Sequence, residues 1–129
     1  MRQKSIEIPG LEHNAPIPCA SRVGPILATS GVGGKDAATG KLPPDLDTQA
    51  RNCFLNLKTI LAAGGCDLGD VVKIAVYVPD DGSRETVNKY WNQHFPDPHK
   101  RPARHSHTGP LRGGMLVQLE AIAVAKDAK

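Results

Sequence analysis

Two rhythms of apolar and polar positions run through this chain. From Leu46 onward, apolar or small residues recur at Ala50, Cys53, Phe54, Leu57, Ile60 and Leu61. Spacings of three and four set them on one face of a helix. Asp45, after two prolines, is a suitable N-cap, and Gly64-Gly65 supplies the stop. A second helix is predicted from a Ser83 cap, with Val87, Tyr90, Trp91, His94 and Phe95 along one side and Pro96 and Pro98 beyond its end.

The other rhythm is short, apolar and β-branched. Residues 5–8, 25–32, 70–78, 103–108 and 115–125 read as strands. Residues 11–19 contain Pro16 and Pro18 and are predicted to be irregular, and residues 33–44 carry turn chemistry throughout. The order β-β-α-β-α-β-β predicts an α+β fold in a single domain, residues 1–129, with one mixed sheet and both helices on one face. In the last strand Met115, Val117, Leu119, Ala121 and Ala123 share one face, and Leu116, Gln118, Glu120, Ile122 and Val124 the other. Neither face is dominated by polar residues. Two helices cover only one, so the second asks for another subunit; the alternative is an exposed face merely rich in apolar residues.

Composition narrows the classes. The 129 residues are 40% hydrophobic and 22% charged, which suits a folded domain of this size. Aromatics are only 4% and the net charge is +3, which argues against nucleic acid as a partner. Cys19, Cys53 and Cys66 form no CxxC pair and read as free thiols of a reducing compartment. No apolar run is long enough to cross a membrane, and the charged, proline-bearing start is unlike a signal peptide, so the expected location is the cytoplasm.

Several residues carry candidate chemistry. Glu120 stands mid-strand on the face expected to be covered; it reads either as a general acid/base that positions water or as half of a structural ion pair. Arg104, in the proline-bounded strand RPARHSHTG, offers a planar fork for a carboxylate or phosphate, against the plainer reading of a solvated arginine. Ser106 shares its face, while His105 and His107 point to the other. Two histidines at i and i+2 are half of a metal site, but no further ligand cluster with metal spacing appears. Ser30-Gly31, ahead of Gly33-Gly34, either exposes amides to an anion or is a plain turn, and no phosphate-loop pattern is present. Asn88 lies on the polar flank of the second helix, Cys53 reads as core, and Cys19 could line a cleft.

Seven segments in order carry a resemblance: TSG (29–31), DAATG (36–40), QARNCFLNLKTILAAGG (49–65), DVVKIAVYV (70–78), TVN (86–88), RPAR (101–104) and VQLEAIAV (117–124). Together they resemble the reactive-intermediate deaminase family (RidA/YjgF). The resemblance implies a chorismate-mutase-like sandwich that forms a homotrimer through its open sheet face, with active sites in the clefts between subunits. It implies cofactor-independent, metal-free hydrolysis of 2-imino acids and their enamine tautomers to 2-oxo acids and ammonia. The family's carboxylate-binding arginine falls on Arg104, its water-positioning glutamate on Glu120, its helix asparagine on Asn88 and its strand-end glycine on Gly31, beside Ser30. Many members carry a cysteine where this chain has Ser106, and an N-terminal Gly-Pro-Tyr where it has Ile17-Pro18-Cys19, which alters the pocket wall. Two other functions remain open: an RNA-acting, translation-inhibiting protein, and a carboxylate-binding trimer without turnover.

Overall fold

In the computed structural model, which describes residues 2–126, two helices pack on one face of a six-stranded sheet. The strands are β1 (Lys4–Ile6), β2 (Ala20–Val23), β3 (Ile26–Thr29), β4 (Val71–Val78), β5 (Ala103–Thr108) and β6 (Gln118–Val124). The helices are α1 (Leu46–Ala63), between β3 and β4, and α2 (Arg84–His94), between β4 and β5. Across the sheet the order is β1-β2-β3-β6-β4-β5, and only the β4–β5 pair is parallel. The α+β class and the two helices on a mixed sheet stand as predicted, but the strand count does not. β2 was not anticipated: its sequence, Ala-Ser-Arg-Val, shows no apolar alternation, and it exists as one arm of a hairpin with β3. Gly24 makes that hairpin possible, because a two-residue loop asks for positive φ at its first residue and Gly24 sits at +56°.

The helices form where the apolar rhythm and the caps agree. The Asp45 carboxylate accepts from the Thr48 amide at 2.9 Å, and Gly64 caps the other end. Ala50, Cys53, Phe54, Leu57, Ile60 and Leu61 are all buried against the sheet. Each large member contributes about 1.5–3 kcal/mol by leaving water. Ser83 stands at the N-cap position of α2, as predicted, but it has helical dihedrals and its side chain makes no cap bond. Asp80 caps the short 3₁₀ turn that leads into the helix, Asp81–Ser83, by accepting from both the Ser83 amide and the Ser83 hydroxyl at 3.0 Å.

β6 is shorter than the apolar run suggested, because residues 115–117 are still turning into the sheet and the Leu116 amide is held by the Gln49 side chain at 2.8 Å. From there its faces follow the alternation. Leu119, Ala121 and Ala123 are buried under the helices. On the other side Ile122 and Val124 stay about half exposed, at 45% and 43%, together with Ile26 at 54% and Val23 at 43%. The open face of the sheet therefore carries an uncovered apolar row.

Candidate functional site

The candidate residues fall into two groups on opposite faces of the sheet. On β4, Ile74 pairs with Arg104 and Val76 with Ser106, and both β4 residues are fully buried under the helices. Arg104 and Ser106 thus belong to the helix side, at the free edge of the sheet. Glu120 pairs with Ala75, the next residue along β4, and so belongs to the open side.

On the helix side, the Arg104 guanidinium lies 5.0 Å from the centre of the Trp91 ring, and its Nε donates to Ser106 Oγ at 3.2 Å. Burial, and then the positive charge of Arg84, lower the guanidinium pKa from its ordinary value. Among the described residues no carboxylate pairs with it. A half-buried cation without a counter-ion is costly unless an anion arrives from outside. Asn88 is exposed on α2, four residues after Arg84 and three before Trp91, so all three share one helix flank. Arg104 and Ser106 are brought together at this edge, and Asn88 shares the flank of α2 that carries Trp91.

On the open side, Glu120 is exposed, and the Tyr77 hydroxyl donates to its Oε1 at 3.4 Å. The Tyr77 ring stacks on His107 with centroids 4.8 Å apart, and His107 lies 4.1 Å from His105. Among the described residues no three His, Cys, Asp or Glu side chains are grouped as metal ligands.

Ser30 and Gly31 lie on this side too. The β3–β6 ladder runs through Ala28 opposite Ile122, and Val32 then bridges Leu119. One more residue is used on the β3 side, so the ladder bulges at Ser30-Gly31, beside Glu120. The Thr29 hydroxyl fills the gap by accepting from the Ala121 amide at 2.9 Å. Gly31 leaves room there for the end of the Gln118 side chain, whose Nε2 would stand 2.1 Å from an added Cβ. Beneath the bulge, Leu11, His13, Cys19, Val32 and Met115 line a cavity of about 180 Å³. Cys19 does line a cleft, with its thiol donating to the Leu11 carbonyl, and burial lowers the His13 pKa, helped by Lys35.

Three supporting residues were not anticipated from the sequence. Asn56 donates to the carbonyls of Gly33 and Lys35, Asn52 to that of Gly34, and Gln49 to those of Pro43 and Gly114. These buried amides of α1 fix the glycine loop that follows Gly31. Their spacing of three and four along the helix, facing a glycine-rich loop, was the available signal.

The chain is similar to known proteins in sequence and in fold. A family model described as "Endoribonuclease L-PSP" matches residues 14–125. The 2-iminobutanoate/2-iminopropanoate deaminase of Escherichia coli (strain K12) is 34% identical over 106 residues, which is 81% of this chain and 83% of that protein. The Bos taurus protein of the same name is 38% identical over 97 residues, covering 74% and 69%. The crystal structure of E. coli TdcF with bound serine superposes with a TM-score of 0.87 at 29% identity, over 95% of this chain and 99% of that one.

Proposed function

The chain belongs to the reactive-intermediate deaminase (RidA/YjgF) family, and on that footing we propose that it hydrolyses 2-imino acids to 2-oxo acids and ammonia in clefts between the subunits of a homotrimer. The observation that carries this reading is Arg104: a half-buried guanidinium, backed by Trp91 and left without a carboxylate partner among the described residues. It is a standing receptor for a small carboxylate. Glu120 lies on the other side of the sheet, so a site that uses both is built from two copies. One supplies Arg104, Ser106 and Asn88; the next supplies Glu120, Ser30 and Gly31. The uncovered row of Val23, Ile26, Ile122 and Val124 favours such packing.

The steps follow from these parts. Arg104 grips the substrate carboxylate through its two Nη groups and fixes the position of the C=N carbon. Glu120 takes a proton from a water as the oxygen bonds to that carbon, and the imine nitrogen receives the electron pair of the double bond. The carboxyl returns that proton to nitrogen, which gives the carbinolamine; it then takes the hydroxyl proton and passes it to nitrogen, so the C=O forms as the C–N bond breaks and ammonia leaves. An imine carbon is electrophilic already, so this sequence calls on no cofactor, metal or activated nucleophile. In this arrangement the Gly31 amide faces the reacting centre, while the Ser30 amide donates to the Cys19 carbonyl at 2.9 Å. The three cysteines are free, which fits a reducing cytoplasm.

The test is a panel of freshly generated imino acids, 2-iminopropanoate and 2-iminobutanoate first, with ammonia release as the readout. We expect turnover, lowered about 10- to 150-fold in kcat/KM by Arg104→Lys, which keeps the charge and loses the fork. Light scattering at micromolar concentration should give a trimer mass. The description of the matching family favours one other reading, action on RNA. RNA cleavage that survives Arg104→Ala, with no ammonia from any imine, would establish that reading instead.

A further inference from the structure

The geometry points to Tyr77 as a positioning residue for Glu120, locked in place by the ring stack of His107 and His105. This rests on the reading of Glu120 as the group that holds the attacking water. A glutamate on an exposed strand position has three rotatable bonds and no fixed direction of its own. Here its Oε1 accepts from the Tyr77 hydroxyl. Tyr77 pairs with Gln118 on one side and with His107 on the other, so the phenol reaches diagonally across β6 to Glu120 while its ring lies against the imidazole.

The stack is close to parallel, at 14°, and His105 braces His107 from the same edge strand. The phenol can only donate through the neutral range: burial, and then the Glu120 charge and hydrogen bond, raise its pKa. Lys73, His105, His107 and Glu120 are the titratable groups around it on the open face. A donor fixed on Oε1 orients the carboxylate and leaves Oε2 for water. Tyr77 acts through the Glu120 carboxylate and not through the carboxylate clamp, so its contribution belongs in kcat and not in substrate affinity.

The experiment uses Tyr77→Phe, which keeps the ring and its stack and removes only the hydroxyl. With 2-iminopropanoate, kcat should fall about 3- to 30-fold while KM and oligomer mass stay at wild-type values. In the double variant with Glu120→Gln, the Tyr77→Phe loss should vanish, because the hydroxyl acts only through that carboxylate. A second measurement is independent of turnover. The chain has two tyrosines, Tyr77 and Tyr90, so ¹³Cζ-tyrosine NMR gives two signals; the one missing in Tyr77→Phe belongs to Tyr77, and its titration should move to lower pH in Glu120→Gln. Wild-type kcat in Tyr77→Phe, an undiminished loss in the double variant, or an unmoved titration each overturns the positioning role. Wild-type protein that releases no ammonia overturns the proposed function and this role with it, which separates the two failures.

Discussion

If Arg104 and Glu120 act together from opposite faces of the sheet, two inactive variants should repair each other. Arg104→Ala removes the carboxylate clamp and, through two charge-assisted hydrogen bonds, should cost about a hundredfold or more in kcat/KM. Glu120→Gln should cost about 10²–10⁴ in kcat. Neither alters the buried core, because Arg104 stands at the sheet edge and Glu120 is exposed. When the two are unfolded, mixed in equal amounts and refolded, subunits combine at random around the ring. On the proposed reading each cleft draws its arginine from one copy and its glutamate from the next. Half the copies carry a native Arg104 and the other half a native Glu120. About one quarter of the clefts should therefore hold both, and ammonia release should return to about a quarter of wild type. The converse mixture sharpens the test: wild type mixed equally with the doubly substituted chain should show about a quarter of full activity, against about a half if each site lay within one chain. Recovery no greater than the variants' own residual rates would refute the shared site.

Other outcomes follow from packing and charge. Phe54 is fully buried and stacks on His94 with centroids 5.2 Å apart, so Phe54→Ala should lower unfolding free energy by about 3–5 kcal/mol in urea titrations. Gly34→Ala would set its Cβ 2.3 Å from the Gln49 carbonyl oxygen, against backbone that cannot swing away, and should cost about 1–3 kcal/mol of stability. Gly31→Ala meets only the end of the Gln118 side chain, so it should spare the melting temperature and reduce turnover. His94 and His13 both have pKa values lowered by burial, from an ordinary 6.5. The folded state thus binds these protons less readily than the unfolded chain does. Their stabilisation is present above pH 6.5 and is lost as pH falls from there towards the depressed folded values. Urea midpoints measured from about pH 8 to about pH 5 should fall, and His94→Gln should flatten that decline.

Local pattern was enough for much of this protein. The face of α1, its Asp45 cap and Gly64 stop, the apolar run of β4 and the alternation of β6 are written in near neighbours, where spacing, propensity and burial agree. Alternation within one strand also put Arg104 with Ser106 and apart from His105 and His107. Tertiary structure decided what depends on distant partners. β2 has no pattern of its own and is a strand only because Gly24 turns it against β3. The Ser83 side chain makes no cap bond to α2, because the Asp80 carboxylate of the preceding turn takes both Ser83 donors. Gln49, Asn52 and Asn56 matter only because the fold brings distant carbonyls to them, those of Pro43 and Gly114 to Gln49 and those of the glycine loop to Asn52 and Asn56. The relation of Arg104 to Glu120 was hidden for the same reason. Strand alternation fixes sides within a strand, while register fixes them between strands, and here β4 pairs Ile74 with one and Ala75 with the other.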